Sequence, residues 1–203
     1  LEAKKKFRWD EAIRFFRQAI EKDPDYAHAL NALGVVLMDK GRWREALRNY
    51  TRALAIFRKR GDEKWEAGAL NNIGIIHRRQ GRYALAMEFY EKSLAISKRL
   101  GDQAGMAKSL GNIGVIHGSQ GRYPRAMEFF EKSLAIEKRL GNQAGMAATL
   151  GNIGLIHGKQ GRYAQALEFY EKSLTIKKRL GDQAGMARTY NSQSPIPAHP
   201  LSL

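Results

Sequence analysis

Three histidines recur at the same place in a repeated stretch of the chain: His77, His117 and His157, which lie 40 residues apart. Imidazole is both a proton acceptor and a metal ligand, so acid–base catalysis and zinc binding are the first chemistries to consider. Packed helices lie about 10 Å apart, whereas zinc needs nitrogens at about 2 Å, so one histidine per layer cannot share an ion. We therefore expect each histidine to be a packing residue with a local hydrogen bond, neither catalytic nor metal-binding.

Other stretches that resemble catalytic motifs do not meet the requirements of those motifs. The segment "HGSQG" at 117–121 contains a serine, but a nucleophile elbow needs Gly-x-Ser-x-Gly after a strand, and the sister stretches have Arg79 and Lys159 at that place. The segment "GNIG" lacks the Gly-Lys-Ser/Thr ending of a phosphate loop. Recurring glutamates such as Glu88 indicate a solvent-exposed helix face with weak ion pairs. The chain has no cysteine, which excludes disulfides and thiol nucleophiles. The sequence thus predicts no enzyme activity, no metal and no cofactor.

The repetition itself is the main signal, and it concerns architecture. Residues 101–140 and 141–180 are identical at 29 of 40 positions. Within a unit, Leu70, Ile73, Gly74 and His77 follow the spacing of one helix face, and "QGRY" has the glycine of a tight turn. The pattern predicts an antiparallel helix pair at about 64–79 (helix A) and 82–99 (helix B). Gly74 and Ala86 would lie where the two helices approach most closely.

Composition limits the class of protein and of partner. Of the 203 residues, 43% are hydrophobic and 27% are charged, as in folded proteins, and the formal net charge is +15. Such a charge favours acidic partners. No apolar run reaches the ~18 residues needed to span a bilayer, and the basic start has no apolar segment of a signal peptide behind it. The lack of cysteine is compatible with the cytoplasm, which is the expected location.

The unit resembles the tetratricopeptide repeat (TPR), in the extended 40-residue form similar to kinesin light chain, Pins-type adaptors and bacterial regulators. The resemblance implies an all-α fold, an α-solenoid in which stacked antiparallel helix A/helix B hairpins form a right-handed superhelix. It also implies a non-catalytic scaffold that binds proteins or peptides. In the first two full repeats the motif positions are occupied by Leu30, Leu33, Gly34, Leu37, Ala46, Tyr50 and Ala53, and by Leu70, Ile73, Gly74, His77, Ala86, Tyr90 and Ser93.

The same alignment divides the chain into a repeat region, 1–190, and a proline-rich tail, 191–203. The repeat region comprises a half-repeat at 7–24, full repeats at about 27–60, 64–100, 104–140 and 144–180, and a truncated helix A at 184–190. Relative to the 34-residue form, six added residues lengthen helix B and replace the proline of the B-to-A turn with Gly-Asp. Neither end has a polar capping helix, so we expect a fragment of a longer protein.

In the TPR family, helix A lines the concave groove, and the resemblance therefore supplies the candidate site. One asparagine per layer could pair with a peptide backbone through its donors and acceptor, although asparagine could also simply fit the junction between A helices. Glycines at 111, 118, 151 and 158 could keep the groove floor low or could serve close helix packing. Five groove cations against Asp39 favour an extended, acidic peptide. The candidate peptide-binding residues are Asn31, Asn71, Asn72, Ile75, Arg78, Arg79, Lys108, Asn112, Val115, Asn152, Leu155, Lys159 and Arg188.

Three other functions stay open at this point. The net charge allows nucleic-acid binding, which is disfavoured because the expected groove positions offer no aromatic side chain for base stacking. The chain could be the recognition arm of a larger enzyme or signalling protein. It could also self-associate through its uncapped ends or through the tail "SPIPAHPLSL".

Overall fold

The computed structural model describes residues 2–193, with side chains from Trp9 onward, and this part of the chain contains ten helices and no strand. Residues 194–203, which make up most of the predicted tail, lie outside the described residues. The expected helices at 64–79 and 82–99 are observed at 63–79 and 83–99, and the last helix runs three residues past its expected end. The helices are α1 Glu2–Lys22, α2 Ala27–Asp39, α3 Trp43–Arg60, α4 Glu63–Arg79, α5 Tyr83–Arg99, α6 Gln103–Ser119, α7 Tyr123–Arg139, α8 Gln143–Lys159, α9 Tyr163–Arg179 and α10 Gln183–Gln193.

The helices form two compact units, Leu1–Gly105 (unit 1) and Met106–Leu203 (unit 2), with α6 beginning in the first and continuing into the second. Within unit 1, each helix from α1 to α4 packs against the next, and α4 packs against α5. Within unit 2, the same holds for α7 to α10. Each unit has its own apolar core, built around Leu30, Tyr50 and Ile73 in unit 1 and around Phe130 and Ile153 in unit 2. The predicted all-α solenoid of helical hairpins is confirmed.

Two kinds of glycine turn join the helices. Gly81 in the A-to-B turn and Gly101 in the B-to-A turn have φ of 73° and 66°, a left-handed conformation that glycine adopts without steric cost. In the B-to-A turn an Asp or Asn follows the glycine and caps the next helix, as when Asp102 Oδ1 accepts a hydrogen bond from Gly105 N at 3.1 Å. The Gly-Asp pair that replaces proline in the 40-residue repeat therefore ends one helix and starts the next.

Inside each hairpin, a glycine of helix A lies against an aromatic ring of helix B. A Cβ atom on Gly74 would stand 2.6 Å from Cε1 of Tyr90, whose side chain is fully buried. The expected close approach at Gly74 is therefore observed, and the ring of Tyr90 explains it. The equivalent pairs are Gly34–Tyr50, Gly114–Phe130 and Gly154–Tyr170.

A buried hydrogen bond adds a second link between the two helices of a hairpin. Ser133 Oγ donates to the carbonyl oxygen of Ala107 at 2.9 Å, and Ser173 Oγ donates to that of Ala147 at 2.7 Å. Ser93 makes the same bond in unit 1. The serines stand where the first full repeat has alanine, so the later repeats gain a polar link at this position.

Candidate functional site

The repeated histidines are packing residues, as predicted. His77 stacks on Phe89 with ring centroids 5.4 Å apart and planes inclined by 17°, and Lys92 Nζ lies over the same ring at 5.8 Å from its centroid. His117 and His157 stack on phenylalanines in the same way. The expected local hydrogen bond is not made at Nδ1 of His77 or His157, which is buried and unbonded within the described part of the chain. Burial lowers the pKa of both side chains, and the neighbouring Arg82 or Arg162 adds to that shift.

In unit 1 the two neighbouring asparagines of α4 have different environments. Asn72 is partly exposed, and its Nδ2 donates to Oδ1 of Asn31 on α2 at 3.3 Å. Asn71 is only 1% exposed, so it does not present its amide to solvent as a groove residue would. The equivalent position in unit 2 shows why Asn71 is buried. Gly111 and Gly151 occupy it there, and a Cβ atom on either glycine would lie 3.5 Å from the Oγ of a serine on helix B of the same hairpin. This position is therefore directed into the hairpin.

The other candidates of unit 1 include both an exposed and a constrained cation. Arg79 is exposed, whereas Arg78 is half-buried with its Nε buried and unbonded among the described residues. Burial raises the pKa of Tyr90, and the Arg78 guanidinium opposes that shift. Ile75 is half-buried on the same helix. Arg78 is thus partly enclosed by the protein, whereas Arg79 is open to solvent.

In unit 2 the candidates lie on α6 and α8, with Arg188 on α10, and all are at least partly exposed. Lys108 and Lys159 are exposed, and Leu155 is 40% exposed. Asn112 and Val115 are half-buried. These side chains can therefore reach a ligand without a change in helix packing.

The helical glycines of unit 2 divide between the two roles that the sequence left open. A Cβ on Gly118 would stand 2.7 Å from Cδ1 of Ile156, so this glycine serves the packing of α6 against α8. At Gly111, Gly151 and Gly158 the nearest atoms to a Cβ would lie at 3.5 to 3.8 Å, which is ordinary contact. Packing does not require glycine at these three positions.

A pocket of about 610 Å³ in unit 2 brings three of the predicted residues together: Asn152, Leu155 and Arg188. Sequence reasoning missed several of its other residues, above all Lys177 of helix B, because helix B was expected to face away from the site. The sequence did contain one signal, because the four full repeats carry four different residues at the position of Lys177. The pocket is lined by Ala144, Ala147, Ala148, Gly151, Asn152, Leu155, Tyr170, Lys177, Leu180, Asp182, Arg188, Thr189 and Ser192.

An aromatic cluster in unit 1 was also not foreseen. His28, a groove position in the first full repeat, lies 4.6 Å from the ring centroid of Trp65 and 5.2 Å from that of Phe57. Trp65 is 44% exposed and stacks on Phe57 at 6.0 Å and 21°. One aromatic surface, the ring of Trp65, is therefore accessible beside His28.

The described residues hold no group of three or more His, Asp or Glu placed to bind a metal ion. None of the helices between residues 2 and 193 combines the length and the apolar character needed to cross a bilayer.

Comparison with known proteins identifies the repeats. The tetratricopeptide repeat family matches residues 25–99, 65–139 and 145–194, and a second description, TPR repeat, matches residues 8–41. No curated protein sequence matches the chain.

Several solved structures share the fold at low sequence identity. BtubC (BKLC) from P. vanneervenii is 22% identical, with 92% of this chain and 79% of that chain covered and a TM-score of 0.70. MamA is 20% identical, with coverages of 89% and 95% and a TM-score of 0.59. Aspartyl phosphate phosphatase F from Bacillus subtilis is 17% identical, with coverages of 93% and 52% and a TM-score of 0.79. The chain belongs to the tetratricopeptide-repeat family, whose repeats are typically protein-interaction scaffolds.

Proposed function

We propose that the chain is a non-catalytic scaffold that binds an extended, acidic peptide along the helix A face of its repeats. The first support is electrostatic. The candidate cations of helix A, two in unit 1 and three in unit 2, make no ion pair with the described residues, whereas several lysines and arginines of helix B do. Unpaired guanidinium and ammonium groups on the helix A side of a unit favour carboxylates. These five cations are Arg78, Arg79, Lys108, Lys159 and Arg188.

The observation that carries the proposal is the convergence of three unlike groups in the unit 2 pocket. Asn152 offers amide donors and an acceptor for a peptide backbone, Leu155 offers an apolar surface, and Arg188 offers a charge for an acidic side chain. A peptide presents these three features within a few residues. In unit 1, the hydrogen bond from Asn72 to Asn31 uses one of two N–H donors of Asn72, so the amide keeps donor and acceptor capacity for a ligand.

The experiment is a selection of binders from a random dodecapeptide library, followed by fluorescence anisotropy with the best peptide. We expect enrichment of Asp and Glu, and weaker binding by the Asn72/Asn112/Asn152→Ala triple variant. Asn49→Ala is the matched control, because Asn49 lies on helix B and its side chain donates to the carbonyl of Glu45 in its own helix. Equal affinity of the triple variant and the wild type would remove the asparagines from recognition. Failure of the wild type to select any peptide would overturn the proposal.

Nucleic-acid binding is the second candidate, favoured by the net charge of +15 and by the exposed ring of Trp65 beside His28. Aromatic rings stack on bases in many single-strand binders. A dodecamer of uridine in the same assay distinguishes the two candidates. Affinity for RNA that exceeds the affinity for acidic peptides and falls steeply with salt would favour the nucleic acid. Insensitivity of RNA binding to Trp65→Ala would exclude the stacking mode.

Self-association also stays a prediction, since residues 194–203 lie outside the described part of the chain. Light scattering on the full chain and on a version ending at Ser192 tests it. Equal masses would exclude a role for the tail.

A further inference from the structure

One side chain on helix B is turned toward the helix A side in unit 2. Lys177 lies on α9, at the position occupied by Phe57, Ser97 and Glu137 in the earlier repeats. Its ammonium lines the unit 2 pocket, donates to Thr189 Oγ1 on α10 at 2.6 Å, and lies 3.8 Å from where a Cβ on Gly151 would stand. Helices α8, α9 and α10 therefore meet around this ammonium.

The ammonium of Lys177 forms no ion pair with a carboxylate among the described residues. The side chain is half-buried, and its hydrogen-bond partner is a neutral hydroxyl. Burial lowers the pKa of Lys177, while Asp182 opposes that shift and the like charge of Arg188 adds to it. Asp182 uses one of its oxygens for capping, because its Oδ1 accepts the hydrogen bond from Gly185 N at 2.8 Å at the start of α10. Two cations thus face the pocket against one carboxylate that already caps a helix.

Partial burial of an ammonium beside a neutral partner costs part of its hydration, and a nearby anion offsets that cost. The ammonium has three N–H donors, and Thr189 accepts one of them. The hydroxyl of Thr189 in turn donates to the carbonyl of Gly185 at 3.1 Å, which fixes the direction of the network. The remaining donors of Lys177 are available to an acceptor in the pocket.

We propose that this pocket is a carboxylate subsite in which Lys177, together with Arg188 and Asn152, holds an Asp or Glu side chain of the bound peptide. The inference rests on the proposed peptide-binding function and names the group that the peptide must supply at this place. The pocket volume of about 610 Å³ exceeds that of one acidic side chain and leaves room for the flanking backbone. Apolar side chains, including those of Ala147, Leu155 and Leu180, line the pocket beside these polar groups.

The first test uses a small probe that does not depend on a complete peptide. Protein labelled with ¹³C at lysine Cε is titrated with N-acetylglutamic acid α-amide, and with N-acetylglutamine α-amide as the uncharged control; Lys177→Arg assigns the signal. We expect a saturable shift of the Lys177 signal and an upward move of its titration midpoint with the acid alone. Lys178, which is exposed on the next position of the same helix, should not respond. An unchanged Lys177 signal, or an equal response of Lys178, overturns the subsite.

The second test uses a peptide from the library selection with Lys177→Gln and, as the control of equal charge, Lys178→Gln. We expect about tenfold weaker binding for Lys177→Gln, the loss typical of one charge-assisted hydrogen bond, and less than twofold for Lys178→Gln. Changing the acidic residue of the peptide to Gln should cost less affinity in the Lys177→Gln background than in the wild type, where Lys177, Arg188 and Asn152 all contact it. Lys177→Ser, which installs the residue of the second repeat, serves as an independent variant, and circular dichroism confirms folding.

The outcomes separate this inference from the function on which it rests. A Lys177 response to the small acid without any selected peptide supports the subsite and overturns the extended-peptide proposal. Peptide binding that is lost in the asparagine triple variant but is equal in Lys177→Gln and Lys178→Gln overturns only the subsite.

Discussion

Replacement of two glycines on α6 by alanine should change stability in opposite directions. Gly111 and Gly114 lie three residues apart on one helix of the same repeat. In both cases alanine gains about 1 kcal/mol of helix propensity over glycine. A Cβ at Gly111 would lie 3.5 Å from Ser133 Oγ, which is ordinary contact, whereas a Cβ at Gly114 would lie 2.7 Å from Cε1 of Phe130.

The ring of Phe130 is 1% exposed, so it has no free space into which to move. Overpacking of this kind costs about 1–3 kcal/mol. After the gain in propensity, we expect Gly114→Ala to lower the free energy of unfolding by about 1 kcal/mol. Gly111→Ala should raise it by about 1 kcal/mol, which corresponds to about 2–4 °C in melting temperature for a chain of this size.

The assay is urea denaturation at 25 °C followed by circular dichroism, with the slope of each transition compared because repeat proteins can lose two-state behaviour. A Gly114→Ala variant as stable as Gly111→Ala would refute the close glycine–aromatic packing. The same pair also tests the low groove floor. If a ligand approaches the backbone at Gly111, the stabilised Gly111→Ala variant should bind the selected peptide more weakly than the wild type.

Three further predictions concern buried polar groups. Because burial lowers the pKa of His157, this imidazole binds a proton more readily in the unfolded chain than in the folded one. The free energy of unfolding should therefore fall as pH drops below about 6.5. Urea denaturation at several pH values should show a weaker pH dependence for His157→Leu, and the same dependence as in the wild type would contradict this reasoning. Burial raises the pKa of Glu137, so ionisation of this carboxyl should lower the protein's free energy of unfolding as pH rises above about 4.5. Urea denaturation should therefore show Glu137→Gln to be more stable than the wild type at pH 7 and no more stable at pH 4. A gain of equal size at both pH values would mean that the substitution acts through packing instead. Ser173→Ala removes the 2.7 Å bond to Ala147 and should cost about 0.5–1.5 kcal/mol in urea denaturation; no loss would show that the bond is replaced by water.

The helices and their hairpins could be predicted because the same local signals occur several times. Glycine in each turn and aromatic residues at fixed spacing gave the bounds of α4 and α5 to within one residue. Repetition also identified the histidines as packing residues, because one imidazole per layer cannot build a shared site.

The environments of particular side chains could not be predicted in the same way. Asn71 and Asn72 are identical residues on one helix, about 100° apart around its axis, and only the packing of helix B shows that one enters the hairpin. Lys177 was missed for the related reason that a long side chain on helix B can reach between α8 and α10. Trp65 was missed because it lies just outside the motif positions that line the groove in relatives.

The position shared by Phe57, Ser97, Glu137 and Lys177 shows where recognition can differ between nearly identical repeats. The glycine–aromatic contacts and the turn glycines hold each hairpin together whatever occupies this position. In unit 1 it holds a phenylalanine stacked on Trp65, and in unit 2 a buried carboxyl and then a half-buried ammonium. The helical hairpin forms with each of these residues, but Phe57, Ser97 and Glu137 are buried, so Lys177 is the member of this set that can meet a ligand. We infer that specificity is to be sought where the repeats disagree, and that the residues they share specify the fold.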